Sequence, residues 1–371
     1  MSGPVMQRVL YITNQCPFPP KSGGQLREAR LIEALGKDFE IKLCILSTNH
    51  SADRCNGECA ASGHVSEIHI VEAEEADSFR PACLSEEFSA LCASVGQDCD
   101  LVHVEGYFLF DYVPEWLVGR SVMVAENVEY VLAPPDLKEI VRAKELKVLQ
   151  AARCVVALSE EDRTLIAELS GRSAGMVPNG FDPPSASSLW RSGGNKVAYV
   201  ANYDWGPSRD GASFLLSDVW PLVTSRFAGA ELLLVGAGDS SSLWGLVPPG
   251  ANVHFTGYVA SLDDVFREVT VFVSPLRVGG GMKVKIMEAF SRGLPVVASD
   301  LSLAGFNNSC RRAALIASTK EEFASEVISV LESVELQRRL SLASLAAARE
   351  MPSWNDCAAE LAYWWRYAAN E

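Results

Sequence analysis

The sequence predicts an α/β protein with two parallel-sheet domains, and three observations lead to this fold class. Short runs rich in Val, Ile and Leu alternate with amphipathic helical segments along the 371-residue chain, as in repeated strand–helix–strand units. A stretch rich in Pro, Ser and Gly interrupts this alternation at 183–195. Aromatic residues crowd the last helical segment, which indicates that it packs on another surface. We therefore predict a first domain at 1–182 completed by the terminal helix 353–371, a linker at 183–195 and a second domain at 196–352.

Composition and charge exclude several classes of protein. Acidic residues outnumber basic ones by 47 to 32, and the net charge of −15 argues against a nucleic-acid-binding face and gives no indication of contact with an anionic membrane. No apolar run reaches the roughly 18–20 residues that span a bilayer, and the polar start at 1–7 is unlike a signal peptide. We expect the ten cysteines to be reduced thiols. Together these features predict a cytoplasmic protein.

In the first domain, strands and helices alternate regularly. The predicted strands lie at 8–13, 41–46, 65–71, 101–104, 121–125, 154–158 and 175–177. The predicted helices lie at 25–35, 86–95, 135–151 and 159–169. Gly23 and Gly24 sit in the loop before the first helix, where backbone N–H groups could bind an anion. An ordinary tight turn would have the same composition.

Polar residues follow two of these strands. His103 and Glu105 lie at the end of the strand 101–104, and Glu126 and Asn127 directly follow the strand 121–125. Open α/β sheets bind ligands at the carboxyl ends of their strands. We therefore expect His103, Glu105 and Asn127 to face a ligand, although a structural histidine inside the core would fit the same pattern.

Two motifs contain metal-ligand residue types without the expected placement. Residues 50–64 carry two Cys and two His, the ligands of structural zinc, but their spacing fits no zinc finger and we interpret the segment as a surface loop. Asp98 and Asp100 form a D-x-D pair that precedes its strand, at the opposite end from a ligand-binding edge. We predict that the protein requires no metal.

The second domain repeats the alternation. Its predicted strands lie at 196–201, 231–235, 253–257, 269–273, 294–298 and 312–317. One predicted helix ends at about residue 223. The other helical segments lie at 262–267, 284–292 and 320–347, the last as one or two helices. The G-x-G at 236–238 lacks the third glycine of a dinucleotide fingerprint, and prolines at 248–249 follow too soon. Nicotinamide binding is therefore not expected.

The stretch 275–289 dominates the functional prediction. The apolar run 269–273 leads into a Ser–Pro turn, three glycines at 279–281, a helix and a further apolar run at 294–298. Glycines lack a Cβ and let the main chain approach a phosphate, while a helix N-terminus directs N–H groups toward an anion. This arrangement predicts a phosphate-binding turn.

Charged side chains complete the predicted site. Arg277, Lys283 and Lys285 place cations beside the glycines. Glu288 lies one turn into the helix, roughly 5–6 Å of helix axis beyond the loop, where a carboxylate can accept hydrogen bonds from ribose hydroxyls. We interpret the stretch as a binding site for a sugar nucleotide.

These motifs resemble those of the retaining, GT-B-fold glycosyltransferases of glycosyltransferase family 4. The resemblance is most specific between Phe255 and Ser299, in the pattern Pro-x-Arg-x-Gly-Gly-Gly, the Lys285–Glu288 pair and a Gly-x-Pro-Val-Val strand. Weaker similarity covers nearly the whole chain. It implies two Rossmann-like domains facing across a cleft, with the C-terminal helix packed on the N-terminal domain.

The resemblance also implies residue roles. Glu288 would bind the donor ribose, Arg277 and Lys285 would face the diphosphate, and His103 would lie near the donor sugar and acceptor, with Glu105 and Asn127 on the acceptor side. The main-chain contacts to the donor would come from Gly23, Gly24, Gly257, Tyr258, Gly279, Gly280, Gly281 and Met282. Many relatives carry a Glu where this chain has Gly280. The resemblance therefore does not say which hydroxyls of the donor sugar this site recognises.

The implied activity is transfer of a hexose from a UDP- or GDP-sugar to an acceptor hydroxyl, with retention of the anomeric configuration and without a metal or other cofactor. Its partners would be a nucleotide sugar and a glycosyl acceptor, and no nucleic acid. Two alternatives share the predicted architecture: a nucleotide-sugar 2-epimerase, which needs no acceptor, and a non-catalytic protein that binds sugar nucleotides.

Overall fold

A computed structural model describes residues 6–20, 22–47, 63–73, 85–182, 190, 192–279 and 281–370. The chain divides into two compact units, which we call unit 1 (Met1–Asn179 with Trp354–Glu371) and unit 2 (Gly180–Ser353). The predicted limits at residues 182 and 353 lie close to these. Most of the predicted linker, and the cysteine- and histidine-containing loop at 50–62, lie outside the described residues.

Unit 1 contains a seven-stranded parallel sheet in the order β3-β2-β1-β4-β5-β6-β7. Its strands are β1 (Gln7–Thr13), β2 (Phe39–Ser47), β3 (Glu67–Glu72), β4 (Leu101–Glu105), β5 (Ser121–Ala125), β6 (Cys154–Ala157) and β7 (Gly175–Met176). Every residue of β4, β5 and β6 is buried, as in a parallel sheet covered on both faces.

Helices lie on both faces of this sheet. Those of the N-terminal segment are α1 (Gly23–Leu35), α2 (Glu86–Val95), α3 (Glu129–Leu132), α4 (Lys138–Ala151) and α5 (Glu160–Ser170). Ser22 and Gln25 form a reciprocal capping box at the start of α1, with each side chain accepting from the other's backbone N–H. Gly23 and Gly24 are thus the first residues of this helix and do not form the separate loop that we predicted.

Because α13 (Trp354–Ala369) completes the core of unit 1, the predicted packing of the terminal helix is confirmed. Trp365 is fully buried beside Phe39 and Tyr11, at ring-centroid distances of 5.0 and 6.4 Å. Leu361 is also fully buried, whereas Tyr363 and Tyr367 face solvent. The aromatic residues of the segment therefore divide between core and surface.

Unit 2 contains a six-stranded parallel sheet in the order β10-β9-β8-β11-β12-β13. Its strands are β8 (Lys196–Val200), β9 (Glu231–Val235), β10 (Asn252–Gly257), β11 (Val271–Ser274), β12 (Val296–Ala298) and β13 (Ala314–Ile316). Its α-helices are α6 (Gly206–Phe214), α7 (Trp220–Arg226), α8 (Leu262–Glu268), α9 (Val284–Ser291), α10 (Asn308–Ala313), α11 (Lys320–Glu332) and α12 (Val334–Ala348). The segment predicted at 320–347 is thus two helices.

The cysteines only partly match the expectation of reduced thiols. Six of the described cysteines are free and buried: Cys44, Cys92, Cys99, Cys154, Cys310 and Cys357. Cys16, however, is disulfide-bonded. Within the described ranges, no helix has the length and apolar composition needed to cross a bilayer. The cytoplasmic location stays a prediction.

Candidate active site

In both units, the strand order defines where a ligand can enter the carboxyl edge of the sheet. The order reverses direction between β1 and β4 in unit 1 and between β8 and β11 in unit 2. At such a reversal the connections leave on opposite faces of the sheet and open a crevice beyond the strand ends. Thr13 and Glu105 border this position in unit 1, and Val200 and Ser274 border it in unit 2.

A glycine turn lies at the reversal in unit 2. Gly279 and Gly281 have φ angles of 106° and 71°, in the left-handed region that favours glycine. A Cβ on Gly279 would come within 3.0 Å of the Trp205 ring, which shows that the turn packs tightly on the loop after β8. Gly280 lies outside the described residues, and Gly281 leads to Met282 at the approach to α9.

Helix α9 begins directly after this turn. Its N-cap residue is Lys283, and no side chain makes a capping hydrogen bond there. The helix N-terminus carries a partial positive charge from its aligned peptide dipoles. Ile286, Met287 and Phe290 are buried and fix the helix on the sheet. The geometry therefore favours an anion at the glycine turn.

The charged residues of the predicted site fall into two groups. Lys285 Nζ lies 3.0 Å from Glu288 Oε2, one helical turn apart, so the predicted pair is formed. Arg277 instead contacts Asp210 through two bonds of 2.6 and 3.0 Å and lies over the Phe214 ring. The structure therefore engages the Arg277 guanidinium with α6, where we had predicted that it faces a diphosphate.

Lys283 is a third cation of the predicted site, and its contacts could not be predicted from the sequence. Its Nζ donates to Gly281 O at 2.6 Å and lies 5.8 Å from the centroid of the Trp205 ring. Burial lowers the pKa of Lys283 to about 8. An anion at the glycine turn would restore its full charge, so Lys283 is suited to neutralise a bound phosphate.

The strand end predicted to hold the nucleotide base adjoins the same edge of the sheet. Gly257 ends β10 with a φ of 69°, and its carbonyl accepts from Gly236 N at 3.0 Å. Tyr258 is exposed. A Cβ on Gly236 would lie 1.7 Å from Ala201 O, so glycine is required there for close packing of β8 and β9. The G-x-G at 236–238 thus has a structural explanation.

Three serines support the loop after β11 and were missed in the sequence. Ser302 Oγ donates to Ser274 O at 2.7 Å and accepts from Leu276 N at 3.3 Å. Ser299 Oγ donates to Leu276 O at 2.6 Å. The short Ser–x–x–Ser spacing at 299–302, after a buried strand, was the available signal.

In unit 1, the His103 side chain lies in the core behind the carboxyl edge of the sheet. The ring is fully buried and stacks on Tyr11 at a centroid distance of 4.2 Å. Its Nδ1 accepts from Trp365 Nε1 at 3.0 Å, and its Nε2 lies 2.9 Å from Glu105 Oε1. Both ring nitrogens are therefore engaged. The structure places Glu105, and not His103, at the edge of the sheet.

Glu105 is the most constrained carboxylate of this cluster. It is 2% exposed, its Oε1 also accepts from Tyr11 OH at 2.8 Å, and its Oε2 has no hydrogen-bond partner among the described residues. Burial alone would raise the pKa of Glu105, but the hydrogen bonds of His103 and Tyr11 and the charge of Arg27 hold that pKa below its ordinary value. Glu105 therefore stays ionised.

Two further glutamates and one arginine were not predicted as site residues. Burial raises the pKa of Glu126 to about 7 and that of Glu28 well above its ordinary value, and the Glu105 charge adds to both shifts. Arg27 is buried and donates to the carbonyls of Val177 and Pro178 at 2.9 and 2.8 Å. The consecutive Arg and Glu within the otherwise apolar face of α1 were the available signal.

A pocket of about 350 Å³, part of it open to solvent, lies at this edge of unit 1. The residues that line it follow three strands: Asn14 and Gln15 after β1, Gly106 to Phe108 after β4, and Glu126, Asn127 and Glu129 after β5. Glu105 and Glu145 complete the wall. The predicted acceptor-side residues Glu105 and Asn127 are thus brought together. Asn127 Nδ2 donates to Glu129 Oε1 at 3.3 Å.

Candidate metal ligands do not converge in the part of the chain that the structure describes, where no group of three or more His, Cys, Asp or Glu residues could hold an ion. Asp98 contacts Arg8 and Lys42 at 3.0 and 3.1 Å, and Asp100 accepts from Arg8 N at 2.7 Å. The D-x-D pair therefore lies at the amino edge of the sheet, as predicted.

The molecule is thus an α/β protein with two Rossmann-like units, one of which carries a glycine turn directly before a helix N-terminus. Residues 194–333 match the family model described as glycosyl transferases group 1. The family predicted from the motifs is therefore confirmed: this part of the chain is a glycosyl transferases group 1 domain.

Curated relatives match over a limited segment. The chain is 34% identical over 154 residues to a phosphatidyl-myo-inositol mannosyltransferase of Mycobacterium tuberculosis, and 32% identical over 156 residues to that of Mycobacterium leprae. Each match covers 39% of this chain, and the chain spans about 40% of the length of these relatives.

Solved structures match over nearly the whole chain. TarM from S. aureus gives a TM-score of 0.73 at 11% identity over 99% of both chains. Sucrose-phosphate synthase from Thermosynechococcus elongatus gives 0.69 at 16% identity, covering 97% of this chain and 98% of that one. HepE from Anabaena, solved with UDP and glucose, gives 0.67 at 14% identity, covering 96% of this chain and 98% of that one. These likenesses confirm the predicted GT-B fold.

Proposed function

We propose that the protein is a retaining glycosyltransferase that transfers a hexose from a UDP- or GDP-sugar to an acceptor hydroxyl. The observation that carries this proposal is the glycine turn of unit 2, followed by the uncapped start of α9 and by the Lys285–Glu288 pair. The family of residues 194–333 supports glycosyl transfer as the reaction class. The curated relatives are mannosyltransferases, which supports a nucleotide-activated hexose as the donor.

In the proposed reaction, the bond between the sugar anomeric carbon and the diphosphate oxygen breaks while the acceptor oxygen bonds to the same face of the sugar. The acceptor proton passes to the departing phosphate oxygen, so no side chain has to act as a strong base. Negative charge grows on the diphosphate. The N–H groups of the glycine turn and α9, together with Lys283 and Lys285, would stabilise this charge without a metal.

Calorimetric titration of UDP, GDP, ADP and dTDP tests the donor site. We expect one nucleotide to bind the wild type, and Glu288→Ala to lose roughly ten- to a hundred-fold in affinity, because a hydrogen bond from ribose to a carboxylate contributes about 1.5–3 kcal/mol. Glu332→Ala, an exposed acid at the end of α11, is the matched control. If no nucleotide binds, or Glu288→Ala binds as the wild type does, the donor site is wrongly placed.

An assay of the reaction products then distinguishes a glycosyltransferase from an epimerase and from a non-catalytic binding protein. With the matching nucleotide sugar, a transferase releases nucleoside diphosphate in proportion to the acceptor supplied and yields a product of unchanged anomeric configuration. An epimerase would convert the donor without an acceptor, and a non-catalytic binding protein would bind the donor and release nothing.

A further inference from the structure

The loop after β8 places an aromatic side chain against the glycine turn of unit 2. Trp205 is the N-cap residue of α6, and its carbonyl accepts from Ser208 N and Arg209 N at 3.0 and 3.2 Å. A Cβ on Gly279 would lie 3.0 and 3.2 Å from two carbons at the benzene end of the indole. The start of α6 therefore fixes the backbone of Trp205, and the glycine turn packs against its ring.

The same ring lies beside the ammonium group of Lys283. The Lys283 Nζ is 5.8 Å from the ring centroid, within the ~6 Å over which a cation and an aromatic face attract each other. The Lys283 carbonyl accepts from Ile286 N at 2.9 Å at the start of α9, while Nζ reaches back to Gly281 O at 2.6 Å. The main chain of Lys283 thus belongs to the helix, and its charge lies at the turn.

A lysine ammonium depends on its surroundings for a defined position. It is a point charge on a flexible four-carbon stem with rotatable donors, unlike the planar fork of an arginine. For Lys283, the Trp205 indole and the Gly281 carbonyl are two of the groups that limit this freedom. Without the indole, the stem could extend away from the turn into solvent.

A phosphate at the turn would compete with the carbonyl for this ammonium. Gly281 O is a neutral acceptor, whereas a phosphate oxygen is charged. Burial lowers the pKa of Lys283 to about 8, so the ammonium is partly desolvated and attracts a nearby anion more strongly than it would in bulk water. Because the indole packs on the turn itself, it would stay beside the ammonium in both arrangements.

Exposure also separates Trp205 from the aromatic residues of the core. Trp205 is 42% exposed, whereas Tyr199 on β8 and Tyr203 after it are buried. Trp205 follows β8, the strand whose carboxyl end borders the reversal of strand order in unit 2. The ring is therefore at the edge where a ligand enters, and only part of it serves to bury apolar surface.

We propose that Trp205 is a positioning residue for the donor diphosphate, which acts by holding the ammonium of Lys283 at the glycine turn. The proposal rests on the function proposed above. It assigns the indole no contact with the base or the ribose. The effect of Trp205 should therefore be confined to the phosphates and should depend on Lys283.

A double-mutant cycle on the full chain tests this dependence. UDP and GDP would be titrated calorimetrically near neutral pH into the wild type, Trp205→Ala, Lys283→Met and the double variant. We expect Trp205→Ala to weaken binding of the diphosphate roughly threefold to thirtyfold, the range of a cation–aromatic contact. In the Lys283→Met background the same substitution should cost less than about twofold, because the ammonium that the indole positions is gone.

Two further measurements separate this role from a structural one. The affinity of uridine or guanosine, measured by competition with the diphosphate, should be unchanged in Trp205→Ala. Trp205→Phe keeps an aromatic face and should bind the diphosphate within about threefold of the wild type. Trp244→Ala removes a tryptophan that is 64% exposed in the same unit and is the matched control. Thermal unfolding of each variant verifies that it is folded.

Two outcomes overturn the role of Trp205. One is an equal loss of affinity with and without Lys283, which would mean that the indole shapes the turn directly. The other is a loss of nucleoside affinity as large as that for the diphosphate, which would mean that the indole contacts the nucleoside. A wild type that binds no nucleotide instead removes the donor site. If the wild type binds and Glu288→Ala weakens binding, an additive cycle removes the role of Trp205 alone.

Discussion

In unit 2 the glycine turn, the start of α9 and the Lys285–Glu288 pair all come from one stretch, residues 274–288, while in unit 1 the clustered side chains come from β1, α1, β4, β5 and α13. The unit 2 stretch relies on backbone N–H groups, glycine conformations and a helix start. The unit 1 cluster relies on buried side chains that hydrogen-bond to one another. Trp365 contacts His103, which in turn contacts Glu105. The two sites should therefore respond differently to substitution.

The largest expected effect is in the core of unit 1. Trp365→Ala removes a fully buried indole and its hydrogen bond to His103, which should lower the free energy of unfolding by about 3–5 kcal/mol. Hydrogen exchange should locate the loss in β1 and β4, with nucleotide binding by unit 2 kept. Tyr363→Ala, exposed on the same helix, is the control and should stay within about 0.5 kcal/mol. Loss of protection in both units would mean that they are not independent.

In unit 2 the counterpart of Trp365→Ala is a substitution that strains the backbone. Gly236→Ala places a Cβ 1.7 Å from Ala201 O at a φ of 139°, so β8 and β9 must separate, and we expect a loss of about 2–4 kcal/mol together with weaker nucleotide binding. Gly245→Ala, with open space around its Cβ, should be close to neutral. Urea denaturation measures the free energy of unfolding, and calorimetry measures nucleotide affinity. Equal stability and affinity of the two variants would contradict the requirement for glycine at position 236.

A smaller effect depends on pH. Glu145, which accepts from Glu129 N and Tyr130 N, has its pKa raised by burial from 4.5 to about 7. The folded state thus holds a proton that the unfolded state releases, so stability falls as the pH rises from about 4.5 to 7. Glu145→Gln removes this term and should gain on the order of 1–3 kcal/mol relative to the wild type across that window.

Denaturation at several pH values measures this difference. Glu168→Gln, on the exposed face of α5, serves as the comparison and should show no change with pH relative to the wild type. A Glu145→Gln curve parallel to that of the wild type would show that the carboxyl is ionised at no cost.

The smallest effect concerns the start of α1. Ser22→Ala breaks the capping box with Gln25 and should lower the free energy of unfolding by about 1 kcal/mol, while Ser22→Thr keeps the cap and should change little. Calorimetric unfolding measures both. A Thr variant as unstable as the Ala variant would indicate that the hydroxyl is not what stabilises this helix start.

The sequence predicted unit 2 better than unit 1 for a physical reason. The glycine turn, α9 and the Lys285–Glu288 pair are local, because glycine φ angles and one-turn spacings are set within a few residues. The engagement of Arg277 by Asp210 depends on helix α6, 67 residues away in the chain, and could not be predicted.

In unit 1 the prediction failed where distant residues meet. The strand pattern placed His103 and Glu105 correctly on β4, but which of them reaches the edge depends on Trp365, which is 262 residues further along the chain. The raised pKa of Glu126 likewise follows from burial and from Glu105. Patterns within one strand cannot supply this information.

The position of α13 has a consequence for biosynthesis. A ribosome releases the whole of unit 2 before residues 354–369, which supply Leu361 and Trp365 to the core of unit 1. Domains usually fold in the order of synthesis, from the N-terminus. Phe39 and His103 therefore stay uncovered until residues 354–369 have been synthesised, so the second unit is the first that can finish folding.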